Sequence, residues 1–113
     1  MSAITTHVLD TSTGKPGAGI AVSLERNADA GWQNIAAGTT DGDGRLKDLI
    51  GDSDVFQPGE YRLTFEVGEY FGSQGVKCFF PTVTLSFVVK DAAQHYHVPL
   101  LVSPFGYSTY RGS

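Results

Sequence analysis

The sequence predicts an all-β fold: a two-sheet sandwich of seven to eight strands with one short helix. Fourteen glycines and five prolines cut the chain of 113 residues into short segments. Those segments are rich in Val, Ile, Thr, Phe and Tyr, the residues that suit a pleated, half-buried surface. Within several of them, apolar and polar residues alternate with the period of a strand rather than of a helix.

Strands are predicted over Ile4–Asp10, Ile20–Arg26, Trp32–Thr39, Gly59–Val67, Thr82–Val89, His95–Val102 and Tyr107–Arg111. Between them, 11–17, 27–31 and 41–44 are turns by their Gly, Asn, Asp and Pro content. Asp10 and Thr11 can close the first of these through side-chain hydrogen bonds to nearby backbone. In the fourth strand, Tyr61, Leu63, Phe65 and Val67 alternate with Arg62, Thr64 and Glu66, giving one core face and one wet face. Val83, Leu85, Phe87 and Val89 alternate likewise with Thr82, Thr84, Ser86 and Val88. Only Glu69–Gln74 suits a helix, and Gly68, Gly72 and Gly75 keep it brief.

The length fits one domain, residues 1–113, with a radius of gyration of roughly 13 Å. A hydrophobic fraction of 41% with seven Phe and five Tyr supplies one core and argues against disorder. Net charge is −4, and the eight Lys and Arg residues are scattered. Nucleic-acid binding needs a basic face to displace counterions, so no nucleic-acid partner is expected. There is no basic amphipathic stretch and no run near the roughly 20 apolar residues that span a bilayer, so no membrane partner is expected either. The first residues lack the charged and apolar regions of a secretory leader. They point to the cytoplasm, with the periplasm left open for a processed chain.

Four chemistries can be weighed from the residues. The lone Cys78 cannot form an internal disulfide, and beside Phe79 and Phe80 it reads as a small apolar residue rather than a nucleophile. His95 and His97 share one face of a strand and could hold zinc with His7, but no Cys or carboxylate completes a recognised spacing. Gly42-Asp-Gly44 is too short and too acidic to cradle phosphate, and leads into no helix. Ser103, Ser108 and Ser113 are present, yet none sits in a nucleophile-elbow sequence.

His7, Arg45 and His97 together are more informative. The chain has three histidines and eight Lys and Arg in all. Two imidazoles and a guanidinium from three separate strands or turns make a candidate polar site. Pro99 adds a broken rule, since it interrupts a run that otherwise reads as an interior strand. Proline removes a ladder donor and belongs at edges or bulges.

On these residues the chain resembles the 5-hydroxyisourate hydrolases, also called transthyretin-related proteins, over essentially its full length. The matching stretches are His7-Val-Leu-Asp10, Thr39-Thr-Asp-Gly-Asp-Gly-Arg45, Tyr61-Arg-Leu-Thr-Phe65, Phe79-Phe-Pro81 and His95 to Ser113. The last ends in the family's Tyr-Arg-Gly-Ser signature. The resemblance implies a transthyretin-like sandwich of two four-stranded sheets. It also implies a homotetramer, a dimer of dimers, whose sites lie in a channel between the dimers. It implies His7, Arg45 and His97 as catalytic residues, with Tyr110 and Ser113 lining the site and Ser108 joining them in contact with substrate. Period two puts Pro99, Leu101 and His95 on the same face as His97; His95 is expected nearer the channel mouth and is not read as catalytic. The implied reaction is hydrolysis of 5-hydroxyisourate, a small purine-derived substrate, in urate breakdown, with no cofactor. Two other classes stand beside it. One is a non-enzymatic carrier of small aromatic ligands, like transthyretin, which has Lys, Glu and Thr in place of the three candidates. The other is an adhesive β-sandwich module, in which the histidines would be incidental.

Overall fold

Strand alternation decides which side chains meet the core, and the core decides how the strands stack. In a computed structural model, residues 3–50 and 56–112 are described. They form β1 (Ile4–Asp10), β2 (Lys15–Pro16), β3 (Ala21–Ala28), β4 (Gly31–Thr39), β5 (Arg45–Leu46), β6 (Gly59–Phe65), α1 (Val67–Gly72), β7 (Val83–Val89), β8 (Tyr96–Ser103) and β9 (Gly106–Thr109). One sheet runs β2-β1-β8-β9, with β5 also on β1; the other runs β4-β3-β6-β7. The two-residue strands β2 and β5 share one edge of β1, at Leu9–Asp10 and Thr6–His7 respectively. The sandwich is therefore four positions wide in each layer, though nine strands are named. The radius of gyration is 13.9 Å.

The inner faces follow the alternation. Ile4 and Val8 from β1, with Tyr96, Val98, Leu100 and Val102 from β8, pack against Val22 and Leu24 of β3. Tyr61, Leu63 and Phe65 of β6 and Val83, Leu85 and Val89 of β7 complete that core. Each fully buried Leu or Phe contributes about 1.5–3 kcal/mol by leaving water. Truncating Leu63, which is 0% exposed, to Ala would cost about 2–5 kcal/mol. Two of the buried threonines are paired with backbone carbonyls. The Thr6 hydroxyl donates to the Val98 carbonyl at 2.6 Å, and the Thr40 hydroxyl donates to the Gly17 carbonyl at 2.7 Å. On the wet face of the second sheet, Arg62 donates to Glu25 at 2.7 Å and lies 4.1 Å over the Trp32 ring.

Two boundaries shift from the sequence reading. The strand expected to reach Val67 ends at Phe65, and the helix expected at Glu69 starts at Val67. Val67 and Phe71 are four apart and both buried, so helical spacing takes over there. Gly68 lies against Pro81 and donates its N–H to the Pro81 carbonyl at 2.8 Å. The outermost expected residues of five other strands also move, by one or two positions. Cys78 is half-buried against the core, its thiol 3.5 Å from the Phe80 carbonyl. Among the described residues, no helix is long and apolar enough to cross a membrane.

Candidate active site

Period two on β1 sends Ile4, Thr6, Val8 and Asp10 inward and leaves Thr5, His7 and Leu9 on the outer face of the sheet. On β8 the same rule leaves His97, Pro99 and Leu101 outward. These strands are neighbours and run parallel, with Thr5 in register with His97, His7 with Pro99 and Leu9 with Leu101. His7 and His97 are therefore one strand and two residues apart, roughly 8 Å between Cα atoms from strand rise and spacing.

Arg45 reaches the same face from the other side of β1, where it pairs with His7 in antiparallel register. The turn that delivers it is built by Asp41. Its Oδ1 accepts from the backbone N–H groups of Asp43 at 2.9 Å and Arg45 at 3.0 Å. Gly44 holds φ of +76°, and a Cβ there would lie 2.4 Å from the Val8 carbonyl oxygen. Only glycine suits that left-handed, close crossing.

Pro99 is tolerated for a reason the sequence did not show. Strand β8 is interior, flanked by β1 and β9. The β8–β9 pairing runs from Ser103↔Gly106 to Leu100↔Thr109, then resumes in the same register at His97↔Gly112. Gly112 donates to the His97 carbonyl at 2.8 Å. Hydrogen-bonded positions alternate in an antiparallel ladder, so Pro99 is the next that should donate toward β9, and it has no N–H. The ladder opens there, and the Thr109 hydroxyl caps the Pro99 carbonyl at 2.7 Å. The chain then returns close over His97. A Cβ at Gly112 would meet His97 Cδ2 at 2.6 Å.

His97 is half-buried, and its Nδ1 lies 2.8 Å from Thr5 Oγ1. The same oxygen is 3.0 Å from His95 Nε2. Burial, and after it the positive charges of His95, His7 and Arg45, hold the His97 pKa below its ordinary 6.5. The ring is thus neutral at physiological pH, with one nitrogen committed to Thr5 and Nε2 left over. A neutral imidazole beside a guanidinium can take a proton from water while the cation steadies the negative charge that develops. Among the described residues, no group of three or more His, Cys, Asp or Glu is placed to hold a metal ion. His95 and His97 both lie within hydrogen-bond distance of Thr5 Oγ1.

Of the residues singled out in the sequence, His7, Arg45, His97, Pro99 and Leu101 share this face by register. Ser108, opposite Leu101 on β9, joins them and is exposed. Tyr110 is 60% exposed and borders a different cleft, lined by Leu85, Phe87, Tyr96, Val98 and Thr109 at the sandwich edge. Ser113 lies outside the described residues. Thr5 was missed, because a threonine in a β-rich segment carries no signal of its own.

The comparisons follow the same division between scaffold and site. Residues 4–112 match the Transthyretin family, described as the HIUase/Transthyretin family. The chain is 46% identical over 110 residues to a 5-hydroxyisourate hydrolase of Salmonella dublin, covering 97% of this chain and 80% of that protein. The structure of Klebsiella pneumoniae 5-hydroxyisourate hydrolase superposes with a TM-score of 0.85 at 37% identity, covering 97% and 98% of the two chains. Sea bream transthyretin in complex with thyroxine superposes at 0.91 with 30% identity, covering 98% and 95%. Backbone likeness extends to both kinds of protein, so the side chains on the outer face must separate them.

Proposed function

This chain belongs to the HIUase/transthyretin family, and from that premise we propose that it hydrolyses 5-hydroxyisourate. Hydrolysis opens the six-membered ring at an amide bond and gives 2-oxo-4-hydroxy-4-carboxy-5-ureidoimidazoline. One observation carries the enzyme over the carrier: His7, Arg45 and His97 meet on one sheet face, with His97 held neutral. Those are the positions where transthyretin has Lys, Glu and Thr.

Amide hydrolysis by water needs a base, a stabiliser for the tetrahedral oxyanion, and a proton for the departing nitrogen. His97 Nε2 takes the water proton as oxygen attacks the ring carbonyl. Arg45 binds the anionic substrate or the developing oxyanion through paired N–H donors. His7, across from Arg45, orients the water or returns a proton to the nitrogen. Pro99, Leu101 and Ser108 supply the floor on which the ring lies.

A small-molecule site is normally concave and covers most of its ligand. Here Arg45 and Ser108 are exposed on an open sheet face. We therefore place a second copy of the chain over this face, in a homotetramer whose sites lie between dimers.

The test is ultraviolet loss of freshly generated 5-hydroxyisourate, scored as acceleration over its spontaneous decay. The wild-type protein should accelerate it, and His97→Asn should turn over about a hundredfold or more slower with assembly unchanged by light scattering. Ligand binding without acceleration would turn the reading to the carrier.

A further inference from the structure

Thr5 is 6% exposed and bridges two histidines, His97 Nδ1 at 2.8 Å and His95 Nε2 at 3.0 Å. A hydroxyl has one proton. When it donates to one ring it can only accept from the other, an arrangement that sets the two imidazoles in complementary states. We propose that Thr5 is a positioning residue that passes a proton between His97 and His95, turning His97 from base into acid within one cycle.

The resting arrangement has His97 Nδ1–H donating to Thr5 Oγ1, and Thr5 O–H donating to His95 Nε2. His97 Nε2 then carries the lone pair. When Nε2 takes a proton from water, the new N–H bond forms as the water O–H breaks and hydroxide adds to the carbonyl. The Nδ1 proton moves to Thr5 Oγ1, and the Thr5 proton moves to His95 Nε2. His97 ends neutral, with an Nε2–H able to protonate the departing nitrogen. The positive charge ends on His95, which is exposed and so solvated. Reversing the relay as Nε2–H is given up restores the start. No atom or charge is left over.

The surroundings favour the outward transfer, since burial and the positive charge of His7 and Arg45 disfavour a second proton on His97. Arg111 donates to the His95 carbonyl at 3.3 Å, fixing the backbone that carries the second ring. Thr5 is also well anchored, since β1 and β8 pair along seven consecutive positions from Ile4↔Tyr96 to Asp10↔Val102.

The inference rests on His97 being the base, and the experiment separates the two. Thr5→Val keeps the branched shape without the hydroxyl. It should lower kcat about ten- to a hundredfold with KM changed less than about twofold, while Thr5→Ser keeps most of the activity. His95→Phe should fall with Thr5→Val. Nitrogen-15 spectra of the wild-type protein should show His97 protonated on Nδ1 and His95 bare at Nε2, a reading that needs no variant to fold. Wild-type kcat in Thr5→Val, or a resting His97 protonated on Nε2, overturns the relay. If His97→Asn is inactive and Thr5→Val fully active, the relay alone fails. If His97→Asn is fully active, the assignment of His97 as base fails too.

Discussion

Arg45 stands directly across β1 from His7, held there by a turn whose Gly44 passes under the Val8 carbonyl. Val8 donates its own N–H to the Gly44 carbonyl at 2.7 Å, so the crossing is fastened as well as close. Gly44→Ala should therefore destabilise the protein by about 1–3 kcal/mol and cut turnover by displacing Arg45. Gly42→Ala, two residues away with open space around it, should stay within about 0.5 kcal/mol of wild type. Urea unfolding of the pair measures the difference.

Arg45→Glu should abolish turnover while leaving the fold intact. The side chain is exposed, and the turn is held by the Asp41 carboxylate and backbone rather than by the guanidinium. Circular dichroism beside the ultraviolet assay checks both halves. Full activity in a folded Arg45→Glu protein would place Arg45 outside the site.

The lowered pKa of His97 sets the direction of its pH response. A base must be neutral to act, so kcat/KM should hold through neutral pH. It should fall only as pH drops through a midpoint below 6.5. Burial is the leading cause of the shift and Arg45 a lesser one. Arg45→Gln should thus move the His97 midpoint upward by nuclear magnetic resonance, yet leave it under the ordinary value.

Asp10 supplies a second pH response, this one in stability. It is 1% exposed. Burial pushes its carboxyl up, but hydrogen bonds from the Ser12 hydroxyl, Tyr70 and the backbone outweigh it, and the net pKa lies below 3.8. The fold therefore favours the ionised form. That contribution is present at neutral pH and persists down to the ordinary carboxylate range. It is lost as pH falls through the lowered midpoint. Tyr70 donates to Asp10 Oδ2 at 2.8 Å. Tyr70→Phe should cost about 1.5–3 kcal/mol and bring acid unfolding to a higher pH, read from thermal melts across pH.

Particular residues show what a sequence can reveal. Alternation in Tyr61–Phe65 and Val83–Val89 placed every core side chain of those strands, because the strand period is two and one face is wet. The same parity put His97, Pro99 and Leu101 together on one face before any partner strand was known. It could not show that β1 and β8 lie side by side and parallel, since strand neighbours are chosen by the whole sandwich. Without that pairing Thr5 has no distinction, and the Tyr70–Asp10 bond, 60 residues apart, is equally invisible. Pro99 was legible as an oddity but not as the gap in a ladder. The two-residue strands β2 and β5 are too short to leave a pattern. Val67 closes one alternating run and opens a helical one, so its boundary was ambiguous by nature.

The adjacency of β1 and β8 also bears on how the protein is made. Thr5 and His97 are 92 positions apart, so β1 leaves the ribosome long before β8, the neighbour it must find. Closing so long a loop costs entropy before the contact repays it, which slows folding of such topologies. A nascent chain can thus close the β3–β4 hairpin early and add β6 and then β7 to it. Its chemical face does not exist until β8 has been made, and a product stopping before β8 should lack activity.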